Sequence, residues 1–173
     1  MPVQEILLLG NPVLRKRCAP VKHYSSPDTA STVANLRDTL LDFKKRKGFG
    51  RGIAAPQIGV EQQIIYIDFE YQGPLMNPRI IKRSRHTFRL WDDCFSFPDI
   101  LVNVRRNSSI EVEFRDEQGA KKTLKASGGL SELLQHEIDH LNGVLAIDRA
   151  IDSTHIVLRS EYEKLSRKSG SIL

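Results

Sequence analysis

His136-Glu137-Ile138-Asp139-His140 sets two histidines four residues apart, with a carboxylate directly after the first. On a helix, residues i and i+4 share a face. Two imidazoles there can bind one divalent metal, and the adjacent Glu137 can reach a metal-bound water. The chemistry this suits is metal-assisted hydrolysis. Hydrolytic sites use three protein ligands plus water, so a third ligand must come from elsewhere. In the extended two-histidine pattern a third histidine lies six residues after the second, and that position is Ala146. Another protease class uses a glutamate about twenty residues on, and Glu161 stands 21 after His140. Cys94 is the other candidate, although taken alone it also reads as a small buried hydrophobe. Spacing leaves Glu161 and Cys94 both open.

The elements that must position these residues follow from the pattern along the chain. Residues 1–24, punctuated by Pro12 and Pro20, read as an extended or irregular arm. Ser26-Pro27 is a helix start, a capping hydroxyl followed by Pro at the first helical position. Val33, Leu36, Leu40 and Phe43 recur at three- and four-residue steps and predict a helix over about 27–47, capped by Gly48. Residues 50–59 are Gly- and Pro-punctuated and read as loop or irregular strand. A β-branched and aromatic run predicts a strand at 64–69, with further strands near 76–83, 85–90, 100–105, 109–115 and 120–125. Asp116-Glu117-Gln118-Gly119 is the hairpin turn between the last two. Ser127-Gly128-Gly129 opens a second helix that carries the histidines and stops at Asn142-Gly143. Leu130, Leu134, Ile138 and Leu141 form its apolar stripe while His136, Glu137 and His140 occupy another face. Such a helix should be buried nearly all round. A last helix is expected at about 154–167. The order implies one α+β domain over 1–173, with short, mostly antiparallel sheets wrapped around a central metal-binding helix between an N-terminal and a C-terminal helix.

At 173 residues the chain is long enough to bury a real core. Two cysteines, Cys18 and Cys94, make no disulfide framework and fit a reducing compartment. The apolar run Ile6–Leu9 is too short for a signal-peptide core, and no run approaches membrane-spanning length, so a cytoplasmic location is expected. Net charge is +5. Lys44-Lys45-Arg46-Lys47 is the densest basic run and reads as a solvated helix end; a modest attraction to RNA-rich surfaces is compatible with it.

Three ordered segments resemble the signatures of the peptide deformylase family. Gly50-Arg51-Gly52-Ile53-Ala54-Ala55-Pro56-Gln57 resembles the first, Gly-x-Gly-Φ-Ala-Ala-x-Gln with Φ apolar. Gln135 to Gly143 resembles the third throughout. Asp92-Asp93-Cys94-Phe95-Ser96 resembles the second, Glu-Gly-Cys-Leu-Ser, at Cys94 and Ser96. The opening stretch with Ile6 to Leu9, Pro12 and Leu14-Arg15 is also similar, so the likeness runs from about residue 5 to 150. The resemblance implies that Cys94, His136 and His140 hold the metal and that Glu137 is the acid/base. It implies that Gln57 and the backbone N–H of Phe95 stabilise the oxyanion. The implied activity is removal of the formyl group from N-formylmethionyl nascent polypeptides, best with Fe(II), with nickel, cobalt or zinc as substitutes. Transient ribosome association follows from that substrate; neither DNA nor membrane is implied as a partner. The chemistry of the residues agrees. A metal lowers the pKa of its water towards about 7, Glu137 can take that proton and pass it to the departing amine, and preformed donors meet charge on the formyl oxygen.

Departures from the family pattern fall at the substrate. Gly50 and Gly52 let backbone approach a ligand closely. Asp93 replaces a glycine beside the substrate backbone, and Arg51 stands at a variable position that is usually apolar. An Arg51–Asp93 ion pair across the cleft mouth is therefore expected, against two independent solvated charges. Asp92 replaces a glutamate and should keep that residue's ion pair, here with Arg106. Phe95 replaces leucine and enlarges a pocket wall. Asp139 reads either as a support for a ligand imidazole or as a helix-surface ion pair, and Glu132 as solvent-facing, with added negative charge at the rim as its other reading. Other readings are a deformylase relative acting on a different formylated amine or peptide, a zinc endopeptidase using Glu161, and a metal-stabilised non-catalytic binding module. Gln57 and Glu137 weigh against the last, because a structural metal needs neither.

Overall fold

Eight strands and two further helices are built around one buried helix in the computed structural model, which describes residues 3–169. The first helix, α1, spans Pro27–Lys47. Ser26 caps it by accepting from the Thr29 backbone N–H at 3.2 Å, and Gly48 ends it in the left-handed region at φ +80°. Its stripe Val33, Leu36, Leu40 and Phe43 is buried, as the periodicity predicts.

Strands β1 (Gly52–Ala54), β2 (Ile64–Asp68), β3 (Gln72–Arg83), β6 (Ser109–Arg115) and β7 (Lys121–Ser127) form one antiparallel sheet in the order β1-β2-β3-β6-β7. Strands β4 (Thr87–Asp93), β5 (Ile100–Asn107) and β8 (Ile156–Leu158) form a second, in the order β4-β5-β8. Between the sheets runs α2, Gly128–Leu141, with 11 of its 14 residues buried. Its stripe of Leu130, Leu134, Ile138 and Leu141 packs on Ile65, Ile67, Leu75, Val112 and Phe114 of the larger sheet. The α+β expectation and the near-complete burial of the histidine helix both hold.

Several boundaries differ from expectation, each for a local reason. Strand β3, expected from about 76, starts at Gln72 because its pairing with β2 runs to Asp68↔Gln72. Residues 50–59 contain the short strand β1 and a 3-10 turn, Ala55–Ile58. Strand β4 runs on to Asp93 because its pairing with β5 continues to Asp93↔Leu101. The last helix, α3, starts at Arg159 rather than 154. Ser153–His155 is a 3-10 turn, and the apolar run Ile156-Val157-Leu158 instead pairs with Ile100–Val102 at the edge of β5. The arm contains one further 3-10 turn, Pro12–Arg15, capped by Asn11. Residues 1–2 of the expected arm and 170–173 of the expected tail lie outside the described residues. Among the described residues no helix is long and apolar enough to cross a membrane.

The arm reaches the site from behind. Leu7 N–H donates to the Gln57 carbonyl and Leu9 N–H to the Ser96 carbonyl, each at 2.8 Å. After α2 the chain turns back under the arm at Gly143, φ +73°, where an added Cβ would collide with the Arg15 carbonyl oxygen. That contact is to backbone, so little can give way. Gly143→Ala is expected to cost about 3 kcal/mol, from left-handed strain and overpacking together. Calorimetry should then show the melting point of the variant lowered by about 10 °C.

Candidate active site

Two strand ends and α2 converge on a cleft of about 460 Å³ lined by Gly50, Arg51, Gly52, Gln57, Asp93, Cys94, Phe95, Glu132, His136 and Glu137, among others. The i, i+4 spacing on α2 stacks His136 over His140, their Nε2 atoms 3.2 Å apart. Cys94, one residue past the end of β4, brings Sγ to 3.3 Å from His140 Nε2. Ligand atoms from Cys94, His136 and His140 all lie within 4.8 Å of one another, and all three residues are buried. A sulfur and two ring nitrogens this close can each present a lone pair to the same point. A cation at that point would be held by all three, and a sulfur–imidazole set suits a borderline-soft divalent metal. The residues present therefore fit a metal.

The ring of His136 is oriented from outside. Its Nδ1 is 3.0 Å from Asp92, which fixes the proton there and leaves Nε2 to face Cys94 and His140. Asp92 in turn accepts from Arg106 Nη2 at 3.1 Å, the ion pair expected from sequence. Burial works to raise the Asp92 carboxyl, but His136 and Arg106 outweigh it and bring it down to about 2. Burial also opposes charge on His136, and the Asp92 carboxylate overrides this and raises the imidazole well above its ordinary value. Asp139 does not touch a ligand imidazole. It accepts from Arg106 Nη1 at 2.6 Å and from Arg149 Nη2 at 2.7 Å, so it steadies the ring only through Arg106 and Asp92.

Gln57 is presented by the 3-10 turn after β1. Its Oε1 accepts from the Ala54 backbone N–H at 2.9 Å. That bond leaves the amide NH2 to point at the ligand group, 3.5 Å from Cys94 Sγ and 3.2 Å from Ser96 Oγ. Ser96 thus helps to hold Gln57, a role that its place in a short motif does not announce. Glu137 is 3% exposed, and its Oε2 is buried without a hydrogen-bond partner. Burial pushes its carboxyl up to about 7; a dication beside it would favour the carboxylate and bring it down again. Gly52 makes this placement possible, since a Cβ there would sit 2.8 Å from Glu137 Oε1. Gly50, at φ +131°, does the same for Phe95, whose ring would meet a Cβ at 2.6 Å. The Phe95 ring stacks on Phe43 with centroids 3.8 Å apart, which pins the residue after the cysteine.

Two expectations at the rim fail. Arg51 does not pair with Asp93. It pairs with Glu132 and lies over the Phe69 ring, 5.2 Å from its centroid. Glu132 is therefore not solvent-facing but 4% exposed, one helical turn before His136. Asp93 instead accepts from Arg159 Nη2 at 2.9 Å. Arg51 and Asp93 come from different segments of the cleft lining, and each meets its opposite charge on a helix, α2 for Arg51 and α3 for Asp93. Glu161 lies on the exposed face of α3, paired with Lys164 at 2.6 Å, and is outside the ligand group. Sequence reasoning missed Arg159 and Tyr162, because only the pairing of β8 with β5 brings the C-terminal helix to the cleft.

Known proteins resemble this chain in sequence and fold. The sequence model of the polypeptide deformylase family matches residues 3–155. A peptide deformylase of Prochlorococcus marinus is 40% identical, over 99% of this chain and 84% of its own length. The crystal structure of peptide deformylase from Thermotoga maritima superposes with a TM-score of 0.82 at 32% identity, covering 88% of this chain and all of that one. A Met-Ala-Ser-bound class I type b peptide deformylase from Acinetobacter baumannii superposes with a TM-score of 0.78 at 25% identity, covering 86% of this chain and 98% of the other. The chain belongs to the polypeptide deformylase family.

Proposed function

We propose that the protein removes the N-formyl group from N-formylmethionyl peptides by metal-dependent hydrolysis, releasing formate and a free amine. The observation that carries this reading is the pairing of Glu137 and Gln57 around Cys94, His136 and His140. A metal held only for stability needs neither a buried carboxylate oxygen without a protein partner nor an amide aimed at the ligands.

Cys94, His136 and His140 hold the metal, which is ferrous iron by family likeness, with nickel, cobalt or zinc able to replace it. When bound, it supplies Lewis acidity and an activated water near neutral pH. The chain's own groups do the rest. Glu137 accepts a proton from the attacking water and returns it to the amine nitrogen as the C–N bond breaks. The Gln57 amide donates to the formyl oxygen as charge develops there, joined by the backbone N–H of Phe95. Asp92 and Arg106 keep the His136 ring in the tautomer that presents Nε2. The cleft is flanked by β1 and β4, which are both edge strands, so an extended peptide can add between them by backbone pairing. Gly50, Arg51, Gly52 and Asp93 line that path. Met-Ala-Ser bound to the Acinetobacter relative has the chemistry of the expected product.

The whole of 1–173 serves as one catalytic domain, with 154–173 its variable C-terminal part. Its place is the cytoplasm, in keeping with two buried, unbridged cysteines. Its substrate is a nascent chain, so transient contact with the ribosome follows.

The test is formate release from formyl-Met-Ala-Ser by protein purified anaerobically with iron, or loaded with nickel. Gln57→Ala should lower kcat by about 10²–10³ with little change in KM, since its amide acts chiefly as charge develops. A raised KM with kcat unchanged would place Gln57 in ground-state binding instead.

A further inference from the structure

Arg159 lies outside the stretch that matches the family's sequence model, yet it reaches both sides of the cleft mouth. It is the first residue of α3, directly after β8. Its backbone N–H donates to the Asp99 carbonyl at 2.8 Å and its Nε to the Pro98 carbonyl at 2.9 Å, so its side chain leaves from a fixed base. From there Nη2 donates to Asp93 Oδ2 at 2.9 Å. The same guanidinium lies over the Phe49 ring, with Cζ 4.4 Å from the centroid. Asp93 and Phe49 both line the cleft from opposite lips. Phe49 precedes the Gly50–Gly52 segment, and Asp93 precedes Cys94. The Arg159 and Asp93 side chains are 25% and 34% exposed, so the pair is partly withdrawn from solvent. A second tie runs alongside, with the rings of Trp91 and Tyr162 centred 5.2 Å apart.

We propose that Arg159 is a positioning residue whose guanidinium clasps Phe49 on one lip and Asp93 on the other, fixing the opening through which an extended peptide enters. It would act through those two residues and touch neither the metal ligands nor the scissile bond. The geometry also accounts for Asp93, which would otherwise leave an unpaired carboxylate beside the peptide path. The C-terminal strand and helix become part of the substrate site, and an aspartate next to the cysteine becomes acceptable.

This inference rests on the peptide-processing reading, and its test can fail separately from that reading. Trp91 is the only tryptophan in the chain and lines the cleft, so its fluorescence reports binding without turnover. Met-Ala-Ser and methioninamide would be titrated into nickel-loaded wild type, Arg159→Ala, Arg159→Lys, Phe49→Leu and the Phe49→Leu/Arg159→Ala double variant, with metal content and melting point matched. Arg159→Ala should weaken Met-Ala-Ser by about tenfold and leave methioninamide unchanged, because the lips meet the residues beyond the first. Arg159→Lys should recover most of the loss. Arg159→Ala should add little to Phe49→Leu, as expected of two residues in one contact. Binding of Met-Ala-Ser as tight in Arg159→Ala as in wild type would overturn the proposal. So would equal weakening of both ligands, or no binding of Met-Ala-Ser to the wild type. Formate release measured on the same preparations bears on the deformylase reading alone.

Discussion

Glu137→Ala and Glu137→Gln should each lower formate release by about 10²–10⁴ in kcat, the usual contribution of a positioned acid/base. Neither should change metal content, since Glu137 is not among the three ligand residues. The Gln variant is the sharper of the two. It keeps the side chain's length and its place beside Gly52, and removes only the ability to take up and return a proton. Glu137 is buried with one oxygen unpartnered, a placement that costs stability. Both variants should therefore melt no lower than wild type. A residue that is destabilising where it stands and indispensable to turnover is one kept for chemistry. If the Gln variant turned over near the wild-type rate, proton transfer would have to be reassigned.

Cys94→Ala should abolish stable metal binding, a loss beyond the roughly 10–100-fold seen when only an outer partner of a ligand is removed. Two imidazoles on one helix remain, but they fall short of the three protein ligands such a site needs. The effect can be read without activity. A metal that binds the folded state raises the melting point in proportion to how far its concentration exceeds Kd. Chelation should lower the melting point of the wild type and leave that of Cys94→Ala unmoved. Glu161→Ala should behave as wild type in the same scan, because Glu161 is exposed and paired with Lys164. A reversal of those two results would restore the endopeptidase alternative.

Legibility in the sequence depends on whether a signal is local. The bounds of α1 are written in Ser26-Pro27 and Gly48, which act through caps within one turn of the helix. The histidine helix is equally legible, since its apolar stripe and its two histidines share one period. Residues that lie close in sequence carry most of the metal group, and family likeness supplies Cys94 at a distance. The rim is illegible for the opposite reason. Arg51 and Asp93 are each attracted to any nearby opposite charge, and no local rule says that Glu132 and Arg159 lie closer. Glu132 reads as a surface residue because it is charged, and although α2 is expected to be buried nearly all round, no local rule brings Arg51 to it as a partner. Ile156-Val157-Leu158 reads as helix since three residues are too few to show a strand period, and only the open edge of β5 makes them one.

The mass of the product would decide between deformylation and its rivals. Formyl-Met-Ala-Ser would be incubated with iron- or nickel-loaded protein beside Glu137→Gln, and the products resolved by mass spectrometry. The expected products are intact Met-Ala-Ser with a free amino terminus plus formate, formed by the wild type and not by the variant. Cleavage at an internal peptide bond, or an unchanged peptide in the presence of fully loaded wild-type protein, would contradict metal-dependent deformylation by this site.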